Sequence, residues 1–157
     1  MKRILVVCTG NICRSPMAEA LIRRELESRG AQGYIVESAG TGAWDGNGAS
    51  EGAYLVSLEN GLDLSDHRAS LLTPQRVESS DIILTMARHH RRRAEEMGGD
   101  GKTYLLGEYA EGSSGGEVSD PFGSDVSVYR ETYCEIEELV KAAVDRILES
   151  ANENSDR

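Results

Sequence analysis

The 157-residue chain has three cysteines and three prolines, and its 17 Lys and Arg are outnumbered by 27 Asp and Glu. Each shortage removes a class of protein. An odd set of cysteines (Cys8, Cys13, Cys134) builds no disulfide framework, and no Cys/His spacing reads as a zinc site, so no metal or other cofactor is expected. A formal net charge of −10 leaves no surplus of cationic side chains to meet a phosphate backbone, which excludes nucleic acid as the main partner. No apolar run approaches a membrane span, and the chain opens directly on a predicted strand, so neither a membrane partner nor a targeting segment is expected. Repeats and linker-like stretches are also missing. The chain reads as one domain over residues 1–150 with a flexible tail at 151–157, monomeric, in a reducing cytoplasm.

What is present is concentrated near the start. Ile4-Leu5-Val6-Val7 is an apolar run of the kind buried inside parallel sheets. Ser15-Pro16-Met17-Ala18-Glu19 reads as a helix start, with a hydroxyl and a proline in the positions that open helices. Between them lies Cys8-Thr9-Gly10-Asn11-Ile12-Cys13-Arg14, a loop whose amides face the positive end of a helix and so attract a phosphate-like anion. A cysteine there is favoured as thiolate by the helix dipole, the amides and the Arg14 guanidinium, and a thiolate is a nucleophile. Arg14 offers a planar fork for two phosphoryl oxygens. Gly10 allows close approach of the backbone, and Asn11 tolerates a left-handed φ. The Ser15 hydroxyl has two candidate tasks, capping the helix or donating to the thiolate. The pattern is that of phosphoryl transfer without metal or nucleotide.

The remaining pattern alternates. Helix is predicted over Pro16 to about Arg29, stopped by Gly30, and over Ala53–Glu59, from Thr73-Pro74, over Ala87–Met97 and from about Ser124 to Glu149. Strands are predicted at Tyr34–Ser38, Ile82–Leu84 and Thr103–Leu106. Such alternation implies parallel pairing and an α/β sandwich of three layers around a four-stranded parallel sheet. Ligands in such folds gather beyond the carboxyl ends of strands, where Cys8 lies. The basic run Arg88-His89-His90-Arg91-Arg92-Arg93 reads as a solvated helix face paired with Glu95 and Glu96.

The stretch Val7 to Ala20, Val-Cys-Thr-Gly-Asn-Ile-Cys-Arg-Ser-Pro-Met-Ala-Glu-Ala, resembles the signature of low-molecular-weight protein tyrosine phosphatases. The resemblance covers nearly the whole chain and implies the phosphotyrosine protein phosphatase I-like fold and a phosphorylated protein as substrate. It makes Cys8 the nucleophile, Arg14 the phosphate clamp, and Thr9, Gly10, Asn11, Ile12, Cys13 and Ser15 the rest of the phosphate-binding loop. Asp120-Pro121 matches the family's general acid just before the last helix, and proline fixes an extended backbone at such an Asp. Asn11, Ser15, Ser38 and His67 match a hydrogen-bonded set that shapes the loop. Trp44 and Phe122 match aromatic walls that would sandwich a phosphotyrosine ring.

Two features lean elsewhere within the family. Gly123 stands where a second aromatic is usual, and Asp120-Pro121-Phe122-Gly123 with Leu106-Gly107-Glu108-Tyr109 looks more like the bacterial protein arginine phosphatase branch. That branch carries Thr where this chain has Ile12, whose bulk and apolarity suit a phenyl ring, so phosphotyrosine is the first reading and phosphoarginine the alternative. Thiol-dependent arsenate reductases share the loop but need two further mid-chain cysteines, and none lies between Cys13 and Cys134. A non-catalytic phospho-ligand binder would have no need of Cys8, Arg14 and Asp120 together. Cys13 is also placed to trap an oxidised Cys8 as a disulfide, a reading tested by comparing recovery of peroxide-treated wild type and Cys13→Ser.

Overall fold

The computed structural model describes residues 1–112 and 115–155. Four strands form one parallel sheet in the order β2-β1-β3-β4: β1 Lys2–Cys8, β2 Tyr34–Gly40, β3 Ile82–Thr85 and β4 Thr103–Leu105. β1 lies in the middle, with Val6 opposite Ser38 on one side and Leu84 on the other. The order reverses beside β1, so the end of that strand is the crevice where such sheets bind ligands.

The run Ile4–Val7 is buried on both faces, which is why it shows no alternation in sequence. Ile4, Val6 and Cys8 enter the larger core with α1 (Arg14–Ser28), α2 (Glu51–Glu59), α5 (Leu106–Glu111) and α6 (Val126–Ser155). Leu5 and Val7 point the other way, to Val77 of α3 (Pro74–Ser79), Ala94 at the end of α4 (Arg88–Ala94) and Met97 of the wider helical turn at Glu95–Gly99. The three layers follow from this division.

Several predicted boundaries shift for stated reasons. α1 begins at Arg14, two residues before the expected Pro16, because a proline within the first turn has no helical N–H to lose. Gly30, at φ 67°, ends it, with the Ala31 N–H returning to the Leu26 carbonyl. Thr73 caps α3 through its hydroxyl, with Pro74 first in the helix. α6 runs past Glu149 to Ser155, into the stretch expected to be a tail, and residues 156–157 lie outside the described residues. Its buried stripe includes Tyr129 and Tyr133, and its neighbours are α1, α5 and α2. Helix α5 was not foreseen. At six residues, with Gly107 inside, it has no room to display a helical period, and that glycine lets the backbone of 115–116 lie directly against it.

Candidate active site

The loop from Cys8 to Cys13 is shaped from outside through its carbonyls. Thr41 and Gly42 N–H groups donate to the carbonyls of Cys8 (3.0 Å) and Thr9 (2.9 Å), and Ser50 N–H donates to that of Ile12 (2.8 Å). His67 Nε2 donates to the Asn11 carbonyl at 2.7 Å. With the oxygens held outward, the N–H groups of Gly10, Asn11, Ile12 and Cys13 find no acceptor among the described residues and form a cup of donors. Such a cup at a helix start is an anion site.

Asn11 is the pin of the turn. It is fully buried at φ 56°, the sole non-glycine with positive φ among the described residues. Its Oδ1 accepts from the Ser70 N–H (2.9 Å), which fixes the amide's orientation, since a backbone N–H can only donate. Its Nδ2 then donates to Ser15 Oγ (2.8 Å) and Ser38 Oγ (2.9 Å). Its oxygen engaged by Asn11, the Ser15 hydroxyl keeps its hydrogen free for Cys8 Sγ, 2.9 Å away. Of the two tasks open to Ser15, the geometry selects the contact with the Cys8 sulfur; Cys13 occupies the cap position, with no side-chain bond there.

Arg14 reaches the cup from the first turn of α1. Nη1 donates to the Val118 carbonyl (2.9 Å) and Nη2 lies 3.6 Å from Asp120 Oδ2, while the buried Nε has no partner among the described residues. A guanidinium anchored at one corner with its Nε idle is set for bidentate contact with an oxyanion. Asp120 sits half-exposed at the rim, and its Oδ1 accepts from the Phe122 N–H at 3.1 Å. The chain then turns, with Ser124 N–H donating to the Pro121 carbonyl and Gly123 at φ 82° supplying the left-handed corner. That geometry is a physical reason for glycine where a second aromatic would be strained.

A pocket of about 230 Å³ results, lined by Cys8, Thr9, Gly10, Ile12, Cys13, Arg14, Asp120 and Phe122. All the loop residues proposed from sequence converge there or directly behind it, as do Ser38 and His67. Trp44 does not line the pocket; it stands 79 % exposed in the loop after β2. Phe122, also exposed, is the aromatic wall that the pocket has. Cys13 is distinct from Cys8: its sulfur meets Ser50 Oγ (3.2 Å) and Tyr129 Oη (3.3 Å), and burial pushes its thiol upward, against ionisation. Among the described residues no group of three or more His, Cys, Asp or Glu converges as metal ligands would.

His90 is the functional neighbour that the sequence reading placed wrongly. Arg91 and Arg93 of its run do pair outward with Glu108, Glu95 and Glu96, but His90 is fully buried and bonds Thr9 Oγ1 at 2.8 Å. Burial, then the charges of His89 and Arg14, lowers its pKa to about 3. A histidine at the third position of a helix after a strand ending was the available signal, hidden within a run of arginines.

A thiol in a donor cup, below a half-free guanidinium and beside a rim carboxylate, defines a cysteine-dependent phosphoryl-transfer site on a parallel α/β sheet. Comparisons with known proteins agree. The family model described as low molecular weight phosphotyrosine protein phosphatase matches residues 3–154. The chain is 38 % identical over 149 residues to the probable low molecular weight protein-tyrosine-phosphatase EpsP of Ralstonia solanacearum, covering 94 % of this chain and 97 % of that one. It is 39 % identical over 140 residues to a protein-arginine-phosphatase of Bacillus subtilis, covering 88 % and 91 %. The structure of the YwlE arginine phosphatase from Geobacillus stearothermophilus superposes with a TM-score of 0.88 at 35 % identity, covering 98 % of this chain and 97 % of that one. The chain belongs to the low molecular weight protein tyrosine phosphatase family, whose members are phosphoric monoester hydrolases acting on phosphorylated proteins.

Proposed function

We propose that this chain hydrolyses phosphotyrosine in proteins in two steps through a cysteinyl phosphate. In the first, Cys8 thiolate attacks phosphorus, the bond to the tyrosyl oxygen breaks, and the Asp120 carboxyl gives that oxygen its proton. In the second, water attacks the cysteinyl phosphate, Asp120 carboxylate takes a proton from the water, and inorganic phosphate leaves with the thiolate regenerated. Arg14 and the amides of Gly10 to Cys13 stabilise the charge spread over the equatorial oxygens. The observation that carries this reading is the Asn11–Ser15–Cys8 chain of hydrogen bonds beside the idle Arg14 Nε.

Ile12 at the pocket wall supports an aryl substrate, since an apolar side chain gives a phenyl ring contact and gives a guanidinium no hydrogen bond. Phosphoarginine is the second reading, supported by the similarity to proteins named arginine phosphatases. Phe122, with Trp44 swinging in from its exposed loop, would hold the substrate's ring. Cytoplasmic residence is supported by the free thiols of Cys8 and Cys13, and a monomer by a site completed within one chain. No helix among the described residues is long and apolar enough to cross a membrane. Steady-state kinetics on phosphotyrosine and phosphoarginine peptides, for wild type and Ile12→Thr, decide the substrate. Phosphotyrosine should be preferred by wild type and less so by the variant; a wild-type preference for phosphoarginine would reverse the assignment.

A further inference from the structure

His90 is joined to the residue next to the nucleophile, and the bond has a direction. The Ala87 N–H donates to His90 Nδ1 at 3.1 Å. A backbone amide has no lone pair to offer, so Nδ1 is the bare nitrogen and Nε2 carries the ring proton. Nε2 therefore donates to Thr9 Oγ1. The imidazole is held neutral at neutral pH in this role, since protonating Nδ1 would set two N–H groups against each other in a buried place.

The consequence lies on the threonine. Its hydroxyl oxygen is engaged as acceptor from behind, so its own hydrogen must point elsewhere. The Thr9 main chain is already fixed by the Gly42 N–H on its carbonyl, so the histidine adds nothing to backbone closure that is not supplied. What it adds is a fixed rotamer and a fixed donor direction. Thr9 is exposed and lines the pocket, so a donor fixed on it belongs to the space that a substrate would enter.

We propose that His90 is a positioning residue that turns the Thr9 hydroxyl into an oriented hydrogen-bond donor for an acceptor oxygen of the bound substrate. The acceptor is an oxygen either of the phosphoryl group or of the peptide that carries it. The role is indirect for His90, whose bond to the phosphate-binding loop is to Thr9, and direct for Thr9. This rests on the phosphatase reading of the cup, and wild-type turnover of the same peptide tests that reading separately.

The test compares Thr9→Val, Thr9→Ser, His90→Leu and the Thr9→Val/His90→Leu double variant. Each is assayed for kcat and KM on one phosphopeptide and for competitive inhibition by inorganic phosphate. Loss of one such bond should lower kcat/KM by about fivefold to tenfold in Thr9→Val and in His90→Leu. The double variant should be no worse than the poorer single, and Thr9→Ser should retain activity. Weaker inhibition by inorganic phosphate to the same degree assigns the acceptor to the phosphoryl group; unchanged inhibition with a raised peptide KM assigns it to the peptide. Thr9→Val with unaltered peptide kinetics and unaltered phosphate inhibition would overturn the proposal, and so would additive losses in the double variant. Thr9→Val changes an exposed side chain, so the proposal stays testable even if His90→Leu does not fold.

Discussion

In the proposed mechanism Asp120 serves the site by moving a proton, whereas His90 serves it by staying neutral near neutral pH. Replacing Asp120 by Ala removes the proton donor while leaving the cup's amides and Arg14 in place. Its kcat should fall by roughly a hundredfold to ten-thousandfold, with inhibition by inorganic phosphate nearly unchanged. Equal losses in both would make Asp120 a binding group instead. For His90 the sign runs through linkage. The folded state holds its pKa at about 3, below the ordinary 6.5, so the unfolded chain binds the proton first as pH falls. Stability is undiminished above pH 6.5 and is lost between there and pH 3. By the single-group relation this amounts to at most about 5 kcal/mol. His90→Gln should unfold later than wild type in acid relative to the difference at pH 8, as followed by denaturant titration across pH. Parallel pH curves for the two proteins would contradict the burial account. At this scale the sequence was most legible where chemistry is contiguous. Cys8, Arg14 and the residues between them lie in one loop, so spacing alone brought them together. His90 was opaque, because whether a helix turns its third residue in or out depends on how that helix seats on the sheet, and five neighbouring cationic and imidazole side chains all read as surface.

Among the elements, the close contact between β2 and the loop after β1 sets the tolerance of the site. Gly40 ends β2, and a Cβ there would collide with the Thr9 carbonyl oxygen and lie 2.9 Å from the Asn11 nitrogen, one of the cup's amides. Gly40→Ala should therefore cost about 1–3 kcal/mol of stability and more than tenfold in kcat/KM. Gly48→Ala, which meets nothing within 4 Å, should change neither. Thermal melts and steady-state kinetics on the pair check this, and an active Gly40→Ala would show that the loop is not held where the structure puts it. The order of strands and long helices was readable because the unbroken apolar run of β1 and the helical period of α6 are both strong signals. α5 left none. Its position is set by Gly107 meeting the 115–116 backbone, and that segment continues to the Val118 carbonyl holding Arg14. A contact between two backbones has no side-chain pattern from which to read it.

For the whole molecule the governing quantity is charge. A net −10 protein repels an acidic phosphopeptide over distances longer than the pocket itself, while the cup attracts only at close range. Raising ionic strength from about 0.01 M to 0.15 M shortens the screening length from about 30 Å to 8 Å. With sodium chloride, kcat/KM for an acidic phosphopeptide should rise about twofold to fivefold, and that for a basic one should fall; the same trend for both would remove long-range charge from the account. All of this presupposes that one sulfur carries the phosphoryl group during turnover. Acid quenching during steady state, followed by mass analysis of the peptide holding Cys8 and Cys13, tests it most directly. The account predicts one added phosphoryl group on Cys8, accumulating further in Asp120→Ala with an activated aryl phosphate and absent in Cys8→Ser. An enzyme that turns over substrate while Cys8 stays unmodified at every quench time would contradict it.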